Sequence, residues 1–276
     1  MDKRMQMPTR LFGTTQRPVA IVGQGTWPIP DVAALRHGLS LGMTHIDTAE
    51  TYGKGRSEEL VGEAIRGFPR EQLFLVSKVL PQNGGRKKLQ AACEGSLRRL
   101  GVSELDCYLL HWRGDGDLAE TMEGLEQLVS QGKIRALGVS NLDPWDLREA
   151  QAALRQTSIA CNQVLYNLEE RTVESHELPW AQAHKSALVA YTPLGGMARY
   201  ESTLQTIGER HKVPASAIAL AFLLRTSDVF VIPKAATIAH VEANAQAAYV
   251  ELTDEEIAAI NAAAPLRERN GPLPTN

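Results

Sequence analysis

Four residues of this 276-residue chain have side chains suited to placing a proton on a polarised oxygen: Asp47, Tyr52, Lys78 and His111. A phenol has an ordinary pKa near 10, so Tyr52 is a poor acid at neutral pH unless a cation favours its ionised form. Lys78 can supply that cation, and Asp47 can hold the ammonium in place and keep it charged. His111 can hydrogen-bond a carbonyl oxygen and orient it. The set can therefore protonate a carbonyl oxygen while something else attacks the carbon. No obvious nucleophile stands beside these residues, and the chain has no GxSxG elbow. A hydride donor fits that role, which points to a nicotinamide cofactor.

Each of these groups follows a short apolar run, and the runs recur. Residues 19–22, 44–47, 72–78, 105–111, 134–140, 159–163, 188–192 and 229–232 are apolar. Helix-like stretches follow at 31–41, 57–66, 87–100, 118–131, 144–154, 176–185, 203–211 with 215–225, and 238–245, and a last helix is expected at 254–263. The strand candidates are continuous rather than alternating, as parallel strands covered on both faces should be. Asp31 and Thr253 read as N-caps, Pro144 as a first helical residue after Asp143, and Pro214 as a helix start. Gly42, Gly67, Gly101 and Gly132 fall where helices should end. No linker interrupts the alternation. Eight such units imply α/β architecture, a (β/α)8 TIM barrel formed by residues 1–276 as a single domain.

In such a barrel the chemistry collects where the strands end. The ends read Gly25-Thr26-Trp27, Asp47 with Tyr52, Lys78, His111-Trp112, Ser140-Asn141, Gln163, Tyr191 and Pro233-Lys234. A lone strand-end Lys is usually a solvated side chain, and a lone His a satisfied core residue. Asp, Lys and His on three consecutive strands of one mouth read together as a site. A competing dinucleotide-binding pattern, Gly23-Gln-Gly25 with Asp47 22 residues beyond Gly25, fails on its third glycine. Pro28 stands there, and Pro28-Ile-Pro30 delays the helix whose N-terminus would receive the pyrophosphate.

Composition excludes several other classes. Lys and Arg number 29 against 32 Asp and Glu, with no long like-charge run, so no nucleic-acid groove is expected. No apolar run approaches the ~18 residues of a membrane span. Residues 1–18 carry Lys3, Arg4, Arg10 and Arg17 without an apolar stretch between them, so no signal peptide is expected. Cys93, Cys107 and Cys161 match neither a disulfide framework nor a metal site, and the last two read as buried thiols. These features predict a cytoplasmic protein that binds no metal; a monomer is expected.

The segment His45-Ile-Asp47-Thr-Ala-Glu-Thr-Tyr52-Gly53 resembles the signature of the aldo-keto reductase family, in which Asp and Tyr stand five apart. Val76-Ser77-Lys78, Leu105-Asp-Cys-Tyr-Leu-Leu-His111-Trp112, Gly138-Val-Ser140-Asn141, Asn162-Gln163-Val-Leu-Tyr166-Asn167 and Ile232-Pro233-Lys234 add to the resemblance, which runs from about Gly23 to about Pro265. Within the family the chain is most similar to bacterial methylglyoxal and aldehyde reductases. The resemblance implies NADPH-dependent reduction of small aldehydes and dicarbonyls, with NADH as a second cofactor. It implies that Tyr52 is the general acid, Lys78 and Asp47 its supporting pair, and His111 the group that orients substrate. Ser140, Asn141 and Gln163 match the side chains holding the nicotinamide carboxamide, and Tyr191 the ring that stacks on it. Thr26 and Asp47 also belong to the cofactor set. Thr192, Leu194 and Gly196 match the loop over the pyrophosphate, and Lys234, His240 and Asn244 the adenosine end.

Two departures bear on the cofactor: Ala235 replaces the common Ser, and His240 stands where an Arg usually meets the 2′-phosphate. NADPH preference should therefore be smaller than is usual for the family. Longer members fold a C-terminal loop over the substrate. Here the chain is expected to leave Trp27 and Trp112 as the apolar walls, with Trp145 and Trp180 as core packing. The alternatives are a Schiff-base aldolase using Lys78 or Lys234, a zinc hydrolase, and a redox-sensing module that holds nucleotide but turns over slowly. Asp47 argues against the first for Lys78, and two histidines without metal-ligand spacing argue against the second.

Overall fold

The alternation expected from the apolar runs is present in the computed structural model, which describes residues 6–29, 31–269 and 271–275. Lys3, Arg4 and Pro30 lie outside the described residues. The chain opens with an antiparallel pair, β1 (Thr9–Leu11) and β2 (Pro18–Ala20). There follow β3 (Gln24–Gly25), α1 (Val32–Ser40), β4 (His45–Asp47), α2 (Arg56–Ala64), β5 (Phe74–Val79), α3 (Arg86–Leu100), β6 (Cys107–Leu110), α4 (Leu118–Ser130), β7 (Leu137–Ser140) and α5 (Pro144–Ala152). The second half holds β8 (Cys161–Leu165), α6 (Glu177–His184), β9 (Ala187–Tyr191), α7 (Glu201–His211), α8 (Ala215–Leu223), β10 (Val229–Val231), α9 (Ile238–Gln246) and α10 (Asp254–Ala263).

Strands β3 to β10 form one parallel sheet in chain order. Its edges meet: Gly23 N donates to the Val231 carbonyl at 2.8 Å, and Gly25 N to the Pro233 carbonyl at 3.1 Å. The sheet is thus a closed (β/α)8 barrel. The seam requires glycine, because a Cβ on Gly25 would lie 2.5 Å from the Ile232 carbonyl oxygen. The expected caps are also present. Asp31 accepts from Ala34 N, Asp143 from Trp145 N and Asp146 N, and Thr253 forms a reciprocal capping box with Glu256. Gly42, Gly67, Gly101 and Gly132 take left-handed backbone just beyond their helices.

The first strand differs from expectation. The apolar run 19–22 is buried but divided between two partners. Val19 and Ala20 lie in β2, antiparallel to Thr9–Leu11, whereas Ile21 and Val22 pair in parallel with Val231 of β10, ahead of β3 at Gln24–Gly25. Burial under the barrel and burial within it leave the same apolar signature, so the run alone could not separate them.

That hairpin closes the barrel floor. Phe12 is fully buried and its ring centroid lies 4.6 Å from Phe74 and 4.9 Å from Phe230. Arg10 donates to the carbonyls of Thr226 and Leu224, both at 2.7 Å, and Arg17 pairs with buried Asp106 at the start of β6. Two other expectations are settled by burial. Trp180 is packed in the core, but Trp145 is 71% exposed and is not a core residue. It sits in the first turn of α5, a position that faces solvent, beside Arg148. All three cysteines are free and buried. Among the described residues no helix is long and apolar enough to cross a membrane.

His45 opens β4 inside this floor, edge-on to Phe12 and Phe74, with both ring nitrogens buried and lacking a well-aligned hydrogen bond. Burial first, then the charge of Lys78, pushes its pKa down to about 3. The unfolded chain takes up a proton near pH 6.5, whereas the folded chain does not until about pH 3. This contribution to stability is complete above about pH 6.5 and is lost on acidification, at about 1.4 kcal/mol per pH unit. Urea unfolding of wild type and His45→Leu at pH 7.5 and pH 5 should show a shallower loss in the variant. Equal losses would show that the imidazole is not the group that titrates.

Candidate active site

The C-terminal ends of β4, β5 and β6 deliver Asp47, Lys78 and His111 to one mouth, and a tight turn over Tyr52–Gly55 brings Tyr52 back over them. Lys78 is fully buried and Asp47 is 1% exposed. The ammonium has three protons, and all are used. They go to Asp47 Oδ1 at 2.5 Å, the Thr48 carbonyl at 2.9 Å and the Tyr52 hydroxyl oxygen at 3.2 Å. The other Asp47 oxygen accepts from Gln163 Nε2 at 2.7 Å, reaching across from β8.

Burial works against both charges here. It pulls the Lys78 ammonium down, but Asp47 and Tyr52 more than offset it and hold the ammonium above its ordinary range. Burial likewise raises Asp47, against the opposing pull of Lys78 and Gln163. For Tyr52 the expected lowering by the cation is present but outweighed. Burial raises the phenol, Lys78 opposes it, and Asp47 adds to the rise. The phenol therefore keeps its proton at neutral pH. Because its oxygen already accepts from Lys78, its own O–H is directed elsewhere.

His111 stands edge-on to Tyr52, with ring centroids 5.7 Å apart. Burial and then the Lys78 charge push its pKa down to about 3, so the imidazole is neutral; its buried Nδ1 has no partner among the described residues. Trp112 lies beside it at 4.9 Å and is 39% exposed, and Trp27 is 62% exposed.

The next strand ends form a second, linked network. Ser140 Oγ donates to the Gln163 carbonyl at 2.8 Å, Asn141 Nδ2 to Ser140 Oγ at 3.1 Å and to the His111 carbonyl at 3.3 Å, and Tyr191 OH to Asn141 Oδ1 at 2.9 Å. Ser140, Asn141, Gln163 and Tyr191 are thus assembled beside Asp47 and His111. Thr26 is buried, its hydroxyl bound to the Asp47 carbonyl at 2.9 Å. Thr192 and Gly196 take left-handed backbone in the loop after β9, and Leu194 packs against the core between them. Lys234 and His240 are exposed on the loop after β10 and on α9, whereas Asn244 is buried. No hydrogen bond among the described residues ties these three side chains to the Asp47 cluster.

Several polar groups behind the site were missed. Ser57 accepts from Thr48 Oγ1 at 3.0 Å and donates to Thr26 Oγ1 at 2.8 Å. Glu58 is fully buried between Ser77 Oγ at 2.5 Å and Arg99 Nε at 2.6 Å. Only the adjacency of Ser57-Glu58 to the Tyr52 turn, and of Ser77 to Lys78, hinted at them.

The ion pair generates a direct expectation. Lys78→Met leaves a buried carboxylate without a counter-ion and should destabilise the fold by about 3–5 kcal/mol in urea unfolding at pH 8. Adding Asp47→Asn should recover part of that loss. A single-variant loss within the roughly 0–1 kcal/mol of an exposed pair would contradict the burial.

Residues 23–265 match the model of the Aldo/keto reductase family. The chain is 45% identical over 258 residues to methylglyoxal reductase YeaE of Escherichia coli K12, covering 88% of this chain and 90% of that one. It is similar to an aldo/keto reductase from Klebsiella pneumoniae solved in complex with NADP and acetate, with TM-score 0.90, 41% identity, and coverage of 99% of this chain and 100% of that one. A second Klebsiella pneumoniae aldo-keto reductase structure, in complex with NADPH, gives TM-score 0.88 and 42% identity over 99% of this chain and all of the other. With the match spanning the whole barrel and the likeness holding along nearly the full chain, this oxidoreductase belongs to the aldo/keto reductase family.

Proposed function

We propose that this chain uses NADPH to reduce small aldehydes and dicarbonyls of the methylglyoxal kind to alcohols, with Tyr52 as the general acid. The observation that carries the reading is the use of the third Lys78 proton on the Tyr52 oxygen, beside a neutral His111. The methylglyoxal reductase relative and the NADP-bound neighbours support the substrate class and the cofactor. The protein acts as a cytoplasmic monomer formed by one domain, with no nucleic-acid or membrane partner in this reading.

The residues present fit a dinucleotide. Asn244 is 2% exposed and its Nδ2 has no partner among the described residues, a donor that an adenine ring can satisfy. The loop carrying Thr192, Leu194 and Gly196 would cover the pyrophosphate, while Lys234 and His240 would meet the 2′-phosphate end. Ser140, Asn141 and Gln163 would hold the carboxamide, and Tyr191 would stack on the ring. When bound, the cofactor supplies hydride to the carbonyl carbon. The neutral His111 orients the carbonyl oxygen, and Tyr52 transfers its proton as negative charge develops there. The Lys78 ammonium then favours the phenolate left behind, and Asp47 keeps that ammonium charged. Trp27 and Trp112 supply the apolar walls. An amine so firmly held as ammonium does not attack carbonyls, which argues against the aldolase reading for Lys78.

Tyr52→Phe should lower NADPH-dependent reduction of methylglyoxal by about 10²–10⁴, with NADPH affinity nearly unchanged by fluorescence titration. A variant keeping more than half its turnover would refute the assignment.

The NADPH/NADH ratio of kcat/KM should exceed one and rise further in His240→Arg. An added charge-assisted hydrogen bond is worth roughly 1.5–3 kcal/mol, or at least a power of ten. A wild-type ratio below one, or no gain in His240→Arg, would place the phosphate elsewhere.

A further inference from the structure

Glu50 lies between Asp47 and Tyr52 in the chain, half-buried at the barrel mouth, and has no part in the proton-transfer cluster. Its carboxylate instead reaches the loop after β5. One oxygen, Oε1, accepts from Leu80 N at 2.8 Å and from Asn83 Nδ2 at 2.9 Å. Its own backbone N–H donates to the Lys78 carbonyl at 3.3 Å. The segment that carries Tyr52 is thereby tied both to the end of β5 and to the loop beyond it.

The far side of that loop is held as tightly. A Cβ on Gly114 would lie 2.3 Å from Pro81 Cβ, and one on Gly84 would lie 2.4 Å from Thr121 Oγ1. The loops after β5 and β6 are therefore in direct contact, and they enclose a cavity of about 390 Å³ lined by Pro81, Gln82, Trp112, Gly114 and Thr121 among others. Trp112, which lines this cavity, lies against the His111 ring at 4.9 Å, so the loop contact adjoins the end of β6 that carries His111. The Leu80 amide stands where the β5 ladder has ended, and the Glu50 oxygen is the acceptor it finds.

We propose that Glu50 is a positioning residue that holds residues 80–85 against residues 112–117, and so sets how tightly the carbonyl substrate is gripped beside Trp112. It acts through the loop and moves no proton. This inference rests on the reductase reading above.

Glu50→Ala removes the acceptor for both donors, whereas Glu50→Gln keeps an amide oxygen that can accept from both. With NADPH, Glu50→Ala should raise KM about tenfold, more for a nitrobenzaldehyde reaching Trp112 than for methylglyoxal. Its kcat, the pH profile of kcat and NADPH affinity should stay as in wild type, and Glu50→Gln should restore most of KM. Amide hydrogen exchange over residues 80–83 should quicken in Glu50→Ala and not in Glu50→Gln. An unchanged KM despite faster exchange, or a displaced pH profile of kcat, would overturn the proposal. Wild-type enzyme that reduces neither aldehyde would overturn the reductase reading and the substrate half of this one, while the exchange pattern would still decide the loop contact.

Discussion

The structure turns on an ion pair buried inside the barrel mouth. Taking an ammonium and a carboxylate out of water is costly, and their mutual attraction offsets that cost only when every remaining hydrogen-bonding site is filled. Here each is. Lys78 donates three times, to Asp47, Thr48 and Tyr52, and the second Asp47 oxygen takes the Gln163 amide. These partners come from β4, its following turn, β5 and β8, so no single βα unit could hold the pair. A closed ring of strands brings residues 116 positions apart, Asp47 and Gln163, within hydrogen-bond reach.

The same pair organises the polarity around it. Its positive end suppresses protonation of His111 and, from greater depth, of His45, while burial does most of that work in both rings. The result is an unusual contrast within one barrel: a charged lysine flanked by a neutral imidazole and a protonated phenol. Such a set can donate to an oxygen that gains negative charge without itself presenting a base. The network from Ser140 through Asn141 to Tyr191 then joins the pair to the next three strand ends, and a shift in one strand would be felt along the row.

The floor and the lip play opposite parts. At the floor, Phe12, Phe74 and Phe230 surround His45, and Arg10 and Arg17 bind the hairpin to backbone carbonyls and Asp106. At the lip, contacts are fewer and more polar. Trp27, Ile29, Trp112 and Trp145 are exposed, and single side chains such as Glu50 bridge one loop to the next. Rigidity below and adjustable loops above is the usual division of labour in this fold.

Much of this was legible in the residues themselves. Continuous apolar runs such as Cys107–Leu110 and Val229–Val231 require cover on both faces, so their alternation with capped helices specified the barrel. The chemical character of Asp47, Tyr52, Lys78 and His111, each placed after such a run, specified the mouth. The N-terminal run did not reveal where it passes from the floor hairpin to the barrel, because both bury the same side chains. Trp145 was misjudged for a related reason: residue type states what a side chain can bury, while its helical phase relative to the barrel decides whether it does. Tertiary structure alone decided the electrostatics, since whether Lys78 lowers the Tyr52 pKa depends on how much water burial removes from the phenol. It alone exposed Glu58, Ser57 and Glu50 as partners, because a hydrogen bond between segments far apart in the chain leaves no periodicity for a sequence to show.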